Sequence, residues 1–85
     1  MGQYEKLAQR ILSGRQDSTI LFSEVVSLLS RLGFSLRKKG SHHIFTKEGV
    51  AEIINLQPDG PKAKAYQVKQ IRNLMVKYQL GVEDE

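Results

Sequence analysis

Cysteine is absent from the 85 residues, tryptophan is absent too, and proline occurs only twice. Without cysteine there is no disulfide framework, no cysteine–zinc cluster and no thiol nucleophile. A small fold without disulfides suits the reducing cytosol, so a cytoplasmic protein is expected. No apolar run approaches the ~20 residues that a membrane span needs. The opening Met1-Gly2-Gln3-Tyr4-Glu5-Lys6 lacks the apolar core of a signal peptide, and lacks the Ser or Thr at position 6 of a myristoylation signal. A membrane is therefore not among the expected partners. There is no G-x-S-x-G, no P-loop and no G-x-G-x-x-G, so neither a serine hydrolase nor a nucleotide cofactor is expected, and no small-molecule substrate is indicated.

What is present suits one small domain spanning 1–85. An apolar fraction of 40% is enough for a thin core. The charge is uneven. The chain carries +4 overall, but residues 31–80 hold ten basic and three acidic side chains, a net of +7, while the two ends together carry −3. A cationic module with acidic ends favours an anionic partner: nucleic acid, anionic lipid or an acidic protein. A solvated basic surface is the plain alternative.

The apolar pattern changes period along the chain. Tyr4, Leu7, Ala8, Ile11 and Leu12 recur at helical spacing over residues 3–13, and Ser13-Gly14 stops that helix. Residues 15–20 read as a polar loop. A second helix is expected over about 22–32 (Phe22, Val25, Val26, Leu29, Leu32), ending at Gly33 with Phe34 folded back on Leu29 in a Schellman motif. Residues 34–38 then alternate as a half-buried strand. Turns at 39–41 and 47–49 separate it from strands at 42–46 and 50–56, which gives a three-stranded antiparallel meander. In the third strand Val50, Glu52, Ile54 and Leu56 share one face, and Ala51, Ile53 and Asn55 share the other. Both faces thus carry apolar residues, either as ordinary surface leakage or as a docking face for a protein. Pro58-Asp59-Gly60-Pro61 breaks the chain, and a last helix runs from about 66 to 78. The tail, 79–85, is expected to fray from Gly81 onward. The order α-α-β-β-β-α predicts an α+β fold with helices on one face of a small sheet.

The two histidines adjoin, as His42-His43. In a strand they take opposite faces, and the nearest carboxylates, Glu48 and Glu52, lie across a turn, so a metal site is not expected. A single histidine can instead move protons. The ordinary histidine pKa, about 6.5, supports both base and acid roles near neutral pH, and such transfer contributes about 10²–10⁴-fold in rate. His42 follows a Gly-Ser turn and the cations Arg37, Lys38 and Lys39, which would hold a phosphate near the imidazole. RNA supplies its own nucleophile, the 2′-hydroxyl, so its cleavage needs proton transfer and charge stabilisation but no metal and no covalent protein intermediate. Ser41 has no base that spacing assigns to it and reads as a turn residue. Lys64 and Lys69, with Lys62 and Arg72 nearby, form a basic helical face suited to phosphates. The candidate RNA contacts are Arg37, Lys38, Lys39, Lys64 and Lys69. A surface histidine of no consequence is the plain alternative for His42.

The stretch Leu28-Leu29-Ser30-Arg31-Leu32-Gly33-Phe34, followed by Lys39-Gly40-Ser41-His42-His43-Ile44-Phe45, resembles the HicA-type toxins of bacterial toxin–antitoxin pairs, and Lys64 with the helix from Tyr66 through Ile71 and Leu74 fits the same layout. The resemblance covers about residues 22–78. It implies a double-stranded-RNA-binding-domain-like fold, α-β-β-β-α, here with an extra N-terminal helix. It also implies an endoribonuclease acting on mRNA and a HicB-type antitoxin as inhibiting partner. The family's catalytic histidine is the one directly after Gly-Ser, which is His42; the motif does not assign His43 to catalysis. The helix at 3–13 precedes the family's usual module, and the connection through Pro58-Asp59-Gly60-Pro61-Lys62 departs from its lysine-rich approach. A non-catalytic RNA-binding module would use the same basic surface and would differ in tolerating loss of the His42 imidazole. A plain interaction protein has the two-faced sheet as its support.

Overall fold

Helix α1 (Gln3–Ser13) forms where Leu7, Ala8 and Ile11 recur at helical spacing, and all three are buried; Leu12, read into the same stripe, is instead 44% exposed. The computed structural model describes residues 2–81 of the chain. Gly14 ends α1 in the left-handed conformation. Helix α2 (Phe22–Arg31) begins with half a capping box: Glu24 Oε1 accepts the Leu21 N–H at 2.9 Å. It ends in the expected Schellman motif. Gly33, at φ +97°, donates to the Ser30 carbonyl at 3.1 Å, and Phe34 donates to Leu29 at 3.0 Å.

The residues expected as a polar loop, 15–20, are organised otherwise. Asp17–Thr19 makes a 3₁₀ turn, and Ile20 is fully buried. The backbone of Ile20–Phe22 pairs with the Pro61–Ala63 segment: Ala63 N–H donates to Ile20 O and Phe22 N–H donates to Pro61 O, each at 3.0 Å. The break at 58–61 is therefore a tight turn, closed by mutual backbone bonds of Asp59 and Lys62, whose exit is tied to the start of α2.

Strands β1 (Ser35–Lys39), β2 (His42–Lys47) and β3 (Val50–Leu56) form an antiparallel sheet in sequence order. Gly40-Ser41 joins the first two, with φ +61° at Gly40, a conformation that favours glycine. Leu36, Phe45 and Ile54 stand in register, and so do Arg37, Ile44 and Asn55; the register slips between Phe45 and Lys47, where β3 bulges. Helix α3 (Ala65–Lys77) follows. This is the α-α-β-β-β-α order read from the sequence, with boundaries moved by one residue at α2, β1, β2 and α3.

Phe45, Ile54 and Leu56 are fully buried and form one cluster with Val25, Leu28 and Leu29 of α2 and Val68, Ile71 and Met75 of α3. The helices therefore sit on this face of the sheet, and α1 packs against α2 and α3. The opposite face is left bare, with Ile53 62% exposed. In the chain assigned to the tail, Gln79 and Leu80 still complete the end of α3, and Leu80 packs on the core. The fraying expected beyond Gly81 lies outside the described residues.

Candidate active site on the bare face of the sheet

Strand alternation sorts the chemically useful side chains between the two faces. On the bare face, His42 opposes Lys39, and the next row along holds Arg37, Ile44 and Asn55. His42, Lys39, Arg37 and Asn55 are all exposed. His42 Nδ1 lies 3.0 Å from Asn55 Oδ1. An amide oxygen only accepts, so Nδ1–H is the donor, and in the neutral ring the lone pair is on Nε2. Asn55 faces Ile44 in the register and reaches His42 along the diagonal.

The turn before His42 is anchored from behind. Gln57 Nε2 donates to Ser41 Oγ at 3.1 Å, while the Gln57 carbonyl accepts from Gln67 Nε2 at 3.3 Å. Gln67 is almost wholly buried, and its Oε1 accepts the Lys64 N–H at 3.2 Å, capping α3. This chain of bonds ties the Gly40-Ser41 turn to the start of α3, so Lys64 stands at the His42 end of the sheet. Its Nζ lies 6.0 Å from the centre of the exposed Tyr66 ring.

The other candidates are distributed differently. His43 points to the helical side, where its ring meets Phe22 edge-on at 4.9 Å between centroids and its Nδ1 is buried without a hydrogen-bond partner. Lys38 faces His43 across the strands and so leaves the His42 face. Lys69 is exposed on α3, in the layer of helices across the sheet from His42. Arg72, read as part of a phosphate-binding face, is committed elsewhere: Nη1 donates to Asp17 at 2.8 and 3.0 Å and to the Ile11 carbonyl at 3.1 Å. The fold thus gathers His42, Arg37 and Lys39 on one face, and Lys38 and Lys69 lie apart from them.

The family model described as HicA toxin of bacterial toxin–antitoxin matches residues 22–81, from the first residue of α2 to beyond the end of α3. The chain belongs to the HicA toxin family. Neither the curated proteins nor the solved structures provide a match. Within this HicA-family chain, α1 and the 3₁₀ turn precede the matched segment, while His42, its Asn55 partner and the Gln57–Gln67 anchor all fall inside it. Asn55 and Gln57, which contact His42 and the turn before it, are not among the candidates the sequence offers. The available signal was Asn55 as the one polar residue in the row of Ala51 and Ile53; its diagonal meeting with His42 depends on where the bulge sets the register. Among the described residues, no three His, Asp or Glu side chains gather where they could hold a metal ion, and no helix is long and apolar enough to cross a membrane.

Proposed function

We propose that this HicA-family toxin is an endoribonuclease that cleaves mRNA in the cytoplasm, with His42 as the proton-transfer group. The observation that carries the proposal is the outward His42, held at Nδ1 by Asn55 with Nε2 free, beside Arg37 and Lys39. Nε2 takes the proton of the 2′-hydroxyl. The 2′-oxygen attacks the adjacent phosphorus, the bond to the 5′-oxygen breaks, that oxygen takes a proton from solvent water, and the proton on Nε2 returns to solvent. The products are a 2′,3′-cyclic phosphate and a 5′-hydroxyl end. Charge gathers on the phosphorane oxygens at the transition state, and Arg37 and Lys39 are placed to stabilise it. The RNA brings the nucleophile, so these steps call for no metal. Lys64, at the same end of the sheet, would meet the flanking phosphates, and Lys38 and Lys69 would serve only an RNA that wraps around the domain.

A toxin of this family has a cognate antitoxin, and a HicB-type protein covering the bare face would block His42 and the RNA path together. Co-expression with such a partner should give a stable complex in which His42 is shielded and cleavage is silent.

The test is His42→Ala in the full chain. An exposed side chain at a turn contributes little packing, so the variant should fold and keep most of its RNA affinity. Its cleavage rate should fall by about 10²–10⁴-fold. Wild-type activity should persist in excess chelator, and an RNA with 2′-deoxyribose at the scissile position should resist cleavage. A folded His42→Ala that cleaves at the original rate would leave a non-catalytic RNA-binding module in place of the enzyme.

A further inference from the structure

Next to His42 the bare face is not flat. Ser35, Leu36, Arg37, Ile44, Thr46 and Ile53 line a depression of about 400 Å³, within the ~300–1,000 Å³ range of small-ligand sites. Its floor is apolar and wet at Ile44 and Ile53, the latter 62% exposed where ordinary packing would hide it; Leu36, in register with Phe45 and Ile54, turns its side chain to the helical side. One wall is a guanidinium, Arg37, directly opposite Ile44; the hydroxyls of Ser35 and Thr46, themselves a register pair, stand at the far end.

We propose that this depression is a nucleobase subsite, holding a base of single-stranded RNA beside the scissile phosphate. The idea rests on the ribonuclease reading of His42 and adds where the substrate is read. The match is chemical. A base offers flat apolar faces to Ile44 and Ile53, stacks against a guanidinium plane, and carries polar edges for the two hydroxyls. The match is also one of spacing. Ile44 lies two residues beyond His42 on the same face, about 7 Å along the strand, comparable to one nucleotide step in an extended chain. Lys39, opposite His42, complements the phosphate between that base and the scissile position. A protein partner needs about 800 Å² on each side, so it would have to spread well beyond these six residues, whereas one base needs no more than they offer. Sequence preference of cleavage would therefore be set by the β1–β2–β3 surface at Ile44 and Ile53, and not by the helices.

Binding by the His42→Ala protein, which holds RNA without cutting it, tests the subsite apart from catalysis. The probes are the four homopolymeric RNA hexamers and an abasic ribose-phosphate hexamer of equal charge. At least one homopolymer should bind about 10-fold more tightly than the abasic chain. Ile53→Asn, a neutral change at an exposed position, should erase that difference while leaving abasic affinity unchanged, and Ile44→Ala should reduce it. Equal binding of base-bearing and abasic chains would overturn the subsite, as would an equal loss for both in Ile53→Asn. An Ile53→Asn protein with intact base dependence that no longer holds its antitoxin would make the depression a protein-docking surface and would also overturn it. If the chain with His42 intact cleaves no RNA but base-dependent binding is lost on Ile53→Asn, the subsite stands and the ribonuclease reading falls.

Discussion

An imidazole serves as a base only while one nitrogen keeps a lone pair toward the substrate, and at His42 the neighbour that arranges this is an amide. The Nδ1–H to Asn55 Oδ1 bond fixes the tautomer and the ring plane at once. On the proposed mechanism Asn55 is a positioning residue acting through His42, and its replacements separate charge from geometry. Asn55→Asp keeps the acceptor and adds a negative charge, which favours the imidazolium. The limb of the pH–rate profile that requires a neutral imidazole should then move to higher pH, with the plateau above it largely kept. Asn55→Leu removes the acceptor, and kcat should fall roughly 10- to 100-fold with little change in KM. Unchanged profiles in both variants would deny Asn55 this role. The opposite placement of His42 and His43 was legible in strand parity alone. The Asn55 contact was not, because it runs diagonally across a hairpin whose register slips at a bulge, and no local pattern marks that slip.

Helix ends show the same division between local and non-local signals. The end of α2 could be read directly, since Gly33 supplies the positive φ that a Schellman motif requires and Phe34 supplies the apolar contact. The end of α3 has the same geometry without the glycine: Leu80 N–H donates to Met75 O at 2.9 Å, and Gln79 sits at φ +53°. A side chain in the left-handed region costs about 1 kcal/mol, so Gln79→Gly should raise the unfolding free energy by about that amount in urea denaturation. A null or destabilising result would mean the Gln79 side chain holds a compensating contact. Just before this end, α3 clasps the bulged part of β3. Lys77 Nζ donates to Glu52 at 2.7 Å, Tyr78 Oη donates to the same carboxylate, and Ala51 N–H donates to Tyr78 Oη at 3.3 Å. The bonds from Lys77 and Tyr78 lower the Glu52 pKa from 4.5 to about 2. A lowered carboxylate pKa stabilises the fold above the unfolded value, and that contribution drains away as pH falls from 4.5 toward 2. Glu52→Gln should flatten the stability curve in that window; a curve of unchanged slope there would show the clasp to be energetically idle. The pairing of Ile20–Phe22 with Pro61–Ala63 had no counterpart in the sequence pattern, because two irregular segments meet there and neither alternates.

The molecule divides its labour across the sheet. Among the described residues one side holds the buried cluster and the three α-helices; the other holds His42, Arg37, Lys39 and the wet apolar floor. Net charge alone could not reveal this division, since Arg72, counted among the phosphate-binding cations, is bonded to Asp17 and to the α1 carbonyl of Ile11. That bond also shows how α1, which precedes the family-matched segment, became part of the same core. Leu7, Ala8 and Ile11 are buried, and the guanidinium of α3 closes over the end of α1. Ile11 is fully buried, so Ile11→Ala removes apolar contact and leaves a cavity at a junction of three helices, at a cost of about 2–4 kcal/mol. A domain of this size has only about 5–15 kcal/mol in total, so the urea midpoint should drop steeply. Yet Ile11 belongs to the layer of helices on the far side of the sheet from His42. RNA cleavage per folded molecule, measured well below the melting temperature, should therefore match the wild type. An unchanged midpoint would show α1 to be a passive addition. A lower specific activity in fully folded Ile11→Ala would show instead that α1 reaches the face that carries His42 through α3 and the Gln67–Gln57–Ser41 chain.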